Sequence, residues 1–252
     1  MNNTDIIYGR NAVTEFLRSG RTADKAFVQR GEREGSIRKI ISLLKEGQIP
    51  FTETDKESLD RLCDGKRHQG VVIRAAVRDY VSIEEILERA RMKGEDPFVI
   101  LLDGTEDPYN LGAVIRTANV VGAHGVIIPK RRAAGLTATV MKVSAGALNY
   151  TPVARVSNLN QAIAKLKAAG LWIVCGDMDG TSMYETDLTG PTGLIIGNEG
   201  AGVSRLVREN ADFTVRIPMR GEINSLNASV SCAVLSYEIM RQRTGKKPEV
   251  KA

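Results

Sequence analysis

Apolar positions along the chain recur with two periods that alternate, one near 3.6 residues and one near two. Ile6 to Leu17 reads as a short lead-in followed by a helix with Val13, Phe16 and Leu17 inward. Lys25 to Gln29 then reads as a strand, Ile37 to Glu46 as an amphipathic helix, and Ile49 to Thr52 as a second strand. A helical Lys56 to Leu62 and a strand Val71 to Ala75 follow, so a small α/β unit is expected. From Arg78 to Pro97 the chain turns charged and helical, with Ser82 placed as a cap and Glu84 and Glu85 in the first turn, where carboxylates suit the helix dipole. These shifts predict an N-terminal domain over 1–76, a linker at 77–81, a second domain over 82–245, and a tail at 246–252 that frays.

The second domain alternates more regularly. Strands are expected at Phe98 to Leu102, Gly125 to Ile128, Val153 to Val156, Leu171 to Cys175, Gly193 to Ile196 and Phe213 to Ile217. Helices are expected at Leu111 to Val121, Ala138 to Ala147, Leu159 to Ala169, Val203 to Asn210 and Ser225 to Arg243. Short continuous apolar runs separated by helices predict a parallel sheet covered on both faces, with ligands beyond the C-terminal strand ends. In the last helix Leu226, Val230, Ala233, Val234, Tyr237 and Met240 fall on one face. Its small-residue face, Ser225, Ser229, Cys232 and Ser236 with Leu235 and Met240, is a candidate for close packing, within the chain or against a second copy.

Composition narrows the chemistry. Among the 252 residues no apolar run approaches the roughly 20 needed to cross a bilayer, and the opening MNNTDIIYGR lacks the layout of a signal peptide, so a cytoplasmic protein is expected. Cys63, Cys175 and Cys232 are far apart and without CxxC spacing, which disfavours disulfides and zinc and suits buried thiols. With only His68 and His124, neither a His-based metal site nor a Ser/His/Asp triad has much to draw on, and no protein-bound metal is expected. The net charge of +5 permits nucleic-acid binding without demonstrating it.

Four loops carry the candidate chemistry. Lys66, Arg67, His68 and Gln69 precede the strand at Val71 and would contact RNA phosphates and unpaired bases, or form a solvated turn at Gly70; Arg10, Arg30 and Arg33 are candidates for the same surface. In the second domain, LLDGTEDPYNLGAVIRTANVVG sets Asn110 before a helix as a cap or a site residue, and Arg116 one turn further, where it could grip a phosphate or simply face solvent. LIIGNEGAGVSRL carries Gly197, Gly200 and Gly202 around Glu199, in a pattern that is neither a dinucleotide fingerprint nor a P-loop. IPMRGEINSLNASVS places Ser225 and Asn227 at the start of the last helix, where N–H groups gather.

Taken in order, Asp-Pro-x-Asn-x-Gly-x-x-x-Arg-x-Ala, Gly-Asn-Glu-Gly-x-Gly and Ile-Pro-Met-x-Gly-x-x-x-Ser-Leu-Asn-x-Ser-Val-Ser resemble the three motifs of the SpoU (TrmH-like) RNA ribose 2′-O-methyltransferases, over Asp103 to Arg243. IIYGRNAV and HQGVVIRA resemble the substrate-binding domain of the subgroup that modifies guanosine in large-subunit ribosomal RNA. The resemblance implies a SPOUT-type α/β fold with a C-terminal trefoil knot, a homodimer, and methyl transfer from S-adenosylmethionine to a ribose 2′-hydroxyl. It carries catalytic roles to Asn110, Arg116, Glu199, Ser225 and Asn227, and cofactor-binding roles through backbone groups to Gly197, Ile217 and Leu226. Glu199 is expected to hold Arg116 or to balance the cofactor's positive charge. Asn198 and Asn224 depart from residues common in the family. The competing readings are an RNA-binding protein that does not methylate, and a methyltransferase acting on transfer RNA or on a base.

Overall fold

The computed structural model describes residues 6–31 and 35–245. Arg33 and the tail at 246–252, both named above, lie outside the described residues. The chain divides into two compact units, Met1–Asp79 with Gly135–Ala138, and Tyr80–Ala134 with Thr139–Ala252.

The first unit contains β1 (Ile6–Tyr8), α1 (Arg10–Arg18), β2 (Ala23–Gln29), α2 (Ser36–Glu46), β3 (Phe51–Thr54), α3 (Lys56–Leu62) and β4 (Val71–Ala75). Its sheet runs β1-β4-β2-β3, with β4 antiparallel to both neighbours and β2 parallel to β3. The period of two along β4 sends Val71 and Ile73 into one cluster with Val13, Phe16, Ile37, Ile40 and Leu44, and Val72 into another with Leu59 and Cys63. Burial of each such side chain stabilises by about 1.5–3 kcal/mol. The strand expected at Ile49 starts instead at Phe51: Ile49 N donates to Leu44 O as the chain leaves α2, and Pro50 has no N–H for a ladder.

The second unit contains α4 (Ile83–Lys93), β5 (Phe98–Asp103), α5 (Pro108–Val120), β6 (Gly125–Pro129), α6 (Ala138–Val143), β7 (Val153–Val156), α7 (Leu159–Ala168), β8 (Trp172–Ser182), β9 (Thr192–Gly197), α8 (Arg205–Glu209), β10 (Phe213–Arg216) and α9 (Ala228–Thr244). The six strands run β10-β8-β9-β5-β6-β7 and every pairing is parallel. The expected parallel sheet is therefore present. The central strands are buried on both faces, which explains continuous runs such as Val99–Leu102 and Leu194–Ile196 in place of alternation. Val99, Leu101, Ile127 and Ile195 pack with Ile86 of α4 and Ile163 and Leu166 of α7. Ser82 caps α4 in a reciprocal capping box with Glu85, as its sequence suggested.

Three boundaries differ from expectation in ways that bear on function. Strand β8 continues to Ser182 because β10 pairs along its second half after a register shift between Thr214 and Val215. Helix α5 begins at Pro108, capped by Asp107, so Asn110 lies inside the first turn and is not the cap. Helix α9 begins at Ala228 with Asn227 as its cap, leaving Ser225 in the preceding loop.

The buried face of α9 is not the apolar stripe that the periodicity picks out. Ala228, Cys232, Leu235, Ser236 and Ile239 are buried, whereas Val230 and Tyr237 are exposed. Apolar residues occupy more than one side of this helix, so periodicity alone could not choose between them. The small face proposed for close packing is thus filled from within the chain at Cys232, Leu235 and Ser236. At its other end α9 is anchored by Arg243, which donates to the carbonyls of Asp96, Pro97 and Gly190. Gln242 adds bonds to Thr186 O and from Leu188 N.

Candidate active site

In the first unit, Arg10 and the loop before β4 meet. Arg10 N donates to Gln69 Oε1 at 3.0 Å, and Arg10 Nε to Gln69 O at 2.9 Å. Gln69 and Gly70 both take positive φ, which turns the loop into the strand and leaves Lys66, Arg67 and Gln69 exposed. His68 does not join that surface. Its ring is buried, Nδ1 accepts from Gly70 N at 3.0 Å, and Nε2 lies 3.2 Å from Asp60 Oδ1. His68 therefore builds the turn; a lone His between basic and amide residues gives no sequence sign of which way it points. Arg30 is exposed, with its backbone N–H bonded to Thr54 O.

In the second unit the middle of β8 and the chain at the C-terminal ends of β9 and β10 line a cavity of about 520 Å³. Gly197, Ile217 and Leu226, the three positions read as cofactor-binding, all line it, and Glu199 and Ser225 line it too. Gly197 ends β9 against the returning backbone: a Cβ there would lie 2.2 Å from Gly202 C and 2.3 Å from Val203 N. Only glycine fits so close an approach. Asn198 closes the loop by donating to Gly104 O at 2.7 Å and accepting from Gly200 N at 2.9 Å.

Three candidate catalytic residues form one network. Asn110 Nδ2 donates to Glu199 Oε1 at 3.1 Å, Asn227 Nδ2 donates to Asn110 Oδ1 at 3.0 Å, and Asn227 Nδ2 also bonds Glu199 Oε1. The Oδ1 of Asn227 meanwhile caps α9, accepting from Ser229 N, Ser229 Oγ and Val230 N. One amide thus starts the helix and ties three sequence motifs together. Glu199 does not hold Arg116: the carboxylate is taken by the two asparagines, and the exposed Arg116 makes no ion pair among the described residues.

Sequence reasoning missed Asp177, Asp179 and Arg208, which also line the cavity. Arg208 lies 3.4 Å from Asp177 and 3.3 Å from Asp179. Two acids just past the strand expected at Leu171 to Cys175, where a parallel sheet holds its ligands, were the available signal. With Glu199 the lining carries three carboxylates against one guanidinium, a net negative site that favours a cationic ligand. The thiols beside it are inert: Cys175 and Cys232 are buried, and burial pushes each to about 12. No grouping of three or more metal-ligating side chains occurs among the described residues, and no helix among them is long and apolar enough to cross a membrane.

Residues 97–237 match the model of the SpoU rRNA Methylase family, and residues 6–81 match that for RNA 2′-O ribose methyltransferase substrate binding. The chain belongs to the SpoU methylase family. It is 42% identical over 240 residues, 95% of this chain and 96% of the other, to the putative TrmH family tRNA/rRNA methyltransferase YacO of Bacillus subtilis. Among solved structures it resembles the SpoU methyltransferase AviRb from Streptomyces viridochromogenes in complex with the cofactor AdoMet, with TM-score 0.61, 28% identity, and coverage of 96% of this chain and 91% of that one. The TrmH/SpoU tRNA modifying enzyme of A. aeolicus gives TM-score 0.55 at 30% identity, covering 64% of this chain and 84% of its own. The SpoU protein described here is accordingly an RNA methyltransferase, and the network joining Asn110, Glu199 and Asn227 lies within the matched catalytic region.

Proposed function

We propose that the protein methylates a ribose 2′-hydroxyl of RNA, using S-adenosylmethionine, with a guanosine of large-subunit (23S) ribosomal RNA as its target. The observation that carries this reading is the bonding of Asn110, Glu199 and Asn227 into one network at a net negative cavity lined by Gly197, Ile217 and Leu226. The cavity's carboxylates suit a sulfonium, and glycine at position 197 lets the chain fold back closely enough to shape its wall. Bound there, the cofactor supplies an electrophilic methyl group.

The chain's own residues then have three tasks. Glu199, Asp177 and Asp179 offset positive charge in the cavity. Asn110 and Asn227 hold Glu199 and fix the loop backbone, and Ser225 positions the ribose. Arg116, exposed and without an ion pair among the described residues, takes the phosphate next to the target and orients the 2′-hydroxyl. A guanidinium with pKa above about 12 is a weak proton acceptor, so the hydroxyl proton passes to the phosphate oxygen or to a transiently neutral Arg116.

The N-terminal domain, placed at 1–76 with a linker at 77–81, would grip the RNA through Arg10, Lys66, Arg67 and Gln69, with 82–245 as the knotted catalytic domain. We place the enzyme in the cytoplasm as a homodimer. Support for a dimer comes from Val230 and Tyr237 of α9 and Tyr109 and Val120 of α5, which are exposed on two helices that pack together. Transfer of labelled methyl from S-adenosylmethionine to ribosomal RNA tests the reading; binding of the cofactor with no RNA labelled would refute it.

A further inference from the structure

The C-terminal edge of the parallel sheet carries a second cavity, of about 650 Å³, beyond β5, β6 and β7. Arg131, Arg132 and Arg205 line it, with Ser157 and Asn158 beside them and Asp103 as its one carboxylate. Its charge is opposite in sign to that of the cofactor cavity at β8, β9 and β10. Asp103 is already engaged, accepting from Ser204 N at 2.8 Å, and Arg205 pairs with Glu209 at 2.7 Å. Arg131 and Arg132 are exposed and pair with no carboxylate among the described residues. Arg132 stands at φ 53, so the loop after β6 is turned in a left-handed step between the two guanidinium-bearing side chains and the following alanines.

The two cavities are neighbours. Asn198 lines the cofactor cavity and donates to the carbonyl of Gly104, which lines the basic one. In the strand order β8-β9-β5-β6, β9 and β6 are two spacings apart, about 10 Å at the usual 4.8 Å per strand. A nucleotide seated at the cofactor cavity therefore has its chain neighbours within reach of the arginines.

We propose that Arg131 and Arg132, with Arg205 at the rim, form a phosphodiester-binding cleft that holds the RNA backbone beside the target nucleotide. This rests on the reading of the protein as an RNA methyltransferase. A forked guanidinium suits a phosphate oxygen pair, and a cleft of one sign next to a cavity of the other separates a polyanionic substrate from a cationic cofactor. Neither arginine is assigned to the chemistry itself. Their role is to place the strand, so removing them weakens RNA binding and leaves the cofactor site intact.

The test uses the full chain and a labelled ribosomal RNA fragment that the wild type methylates. Arg131→Ala with Arg132→Ala is compared with Arg91→Ala and Lys93→Ala, which remove the same charge from the end of α4 at the opposite edge of the sheet. For the cleft pair, RNA Kd rises about tenfold and the slope of log K against log salt shrinks by about 1.4, near 0.7 for each single-strand phosphate that the protein no longer neutralises. KM for RNA rises with it, kcat at saturating RNA stays within about threefold, and cofactor Kd stays within about twofold. The control pair changes RNA Kd by less than about twofold. Unchanged RNA affinity and salt slope in the cleft pair, with the wild type still methylating, overturn the cleft and leave the enzyme assignment standing. A fall in affinity equal to that of the control pair overturns it as well. If the wild type methylates no RNA, the reading beneath it falls first.

Discussion

Asn110 Nδ2 donates to Glu199 Oε1 across 3.1 Å, joining residues 89 positions apart. The bond links the first turn of α5 to the loop after β9, and Asn227 completes it from the cap of α9. The site is therefore a junction of three chain segments, and its chemistry and its local stability share atoms.

Asn227 separates the two contributions. Asn227→Asp keeps the side-chain oxygen that caps α9 but replaces the Nδ2 donor with an oxygen facing Glu199. Asn227→Ala removes both. Alanine should cost about 1 kcal/mol of cap energy, or about 2–4 °C in Tm for a chain of this size. Aspartate should retain more of the melting temperature, yet methyl transfer should fall by about 100-fold or more in both. Activity tracking Tm across the two variants would mean that Asn227 is only a cap.

Arg116 is exposed, so replacing it should leave stability within about 0.5 kcal/mol. Arg116→Lys keeps the charge and loses the fork. If the guanidinium grips the phosphate and orients the hydroxyl, kcat should drop by about 100-fold with lysine as with alanine, while cofactor binding by calorimetry is unchanged. Lysine activity near wild type would assign Arg116 a merely electrostatic part.

Gly197→Ala forces a Cβ to 2.2 Å from Gly202 C, and backbone cannot yield as a flexible side chain would. The loop must shift, so cofactor Kd should rise at least about tenfold and Tm should fall by several degrees, as for other strained overpacking. Unaltered cofactor affinity would show that this loop does not shape the pocket.

His124 gives a pH signature outside the site. Burial holds its imidazole below the ordinary 6.5, against the opposing pull of Glu95, and Nδ1 must stay unprotonated to accept from Phe98 N. The unfolded chain therefore binds the proton first as pH falls. This contribution to stability is complete above 6.5 and is lost as the pH drops through the lowered folded value. Melts between about pH 7.5 and about pH 5 should show a smaller fall for His124→Asn, whose amide oxygen can still accept from Phe98 N. An equal fall in both proteins would remove His124 from the linkage.

Much of this architecture is legible in the sequence. The continuous apolar runs at Phe98 and Leu194 announce buried parallel strands, and Ser82 with Glu85 announces the start of α4. The three motifs locate Asn110, Glu199 and Asn227, because glycine, amide and carboxylate together at strand ends have little structural reason to recur. What stays hidden depends on long-range packing. Alternation cannot say that Val230 and Tyr237 face outward while Cys232 and Ser236 face in, since α9 is apolar on more than one side. The burial of His68 rests on Asp60, and the partnership of Glu199 with two asparagines and not Arg116 depends on how three loops fold back on one another. The meeting of Asp177 and Asp179 with Arg208 depends in the same way on segments far apart in the chain.

The central claim is that the acceptor is a ribose 2′-hydroxyl, and alkaline digestion of labelled product tests it most directly. A methyl on the 2′-oxygen blocks cleavage at its own phosphodiester. After incubation with methyl-labelled S-adenosylmethionine and ribosomal RNA, the label should survive alkali in dinucleotides bearing guanosine at the blocked position. Label released in mononucleotides would place the methyl on a base and contradict the assignment.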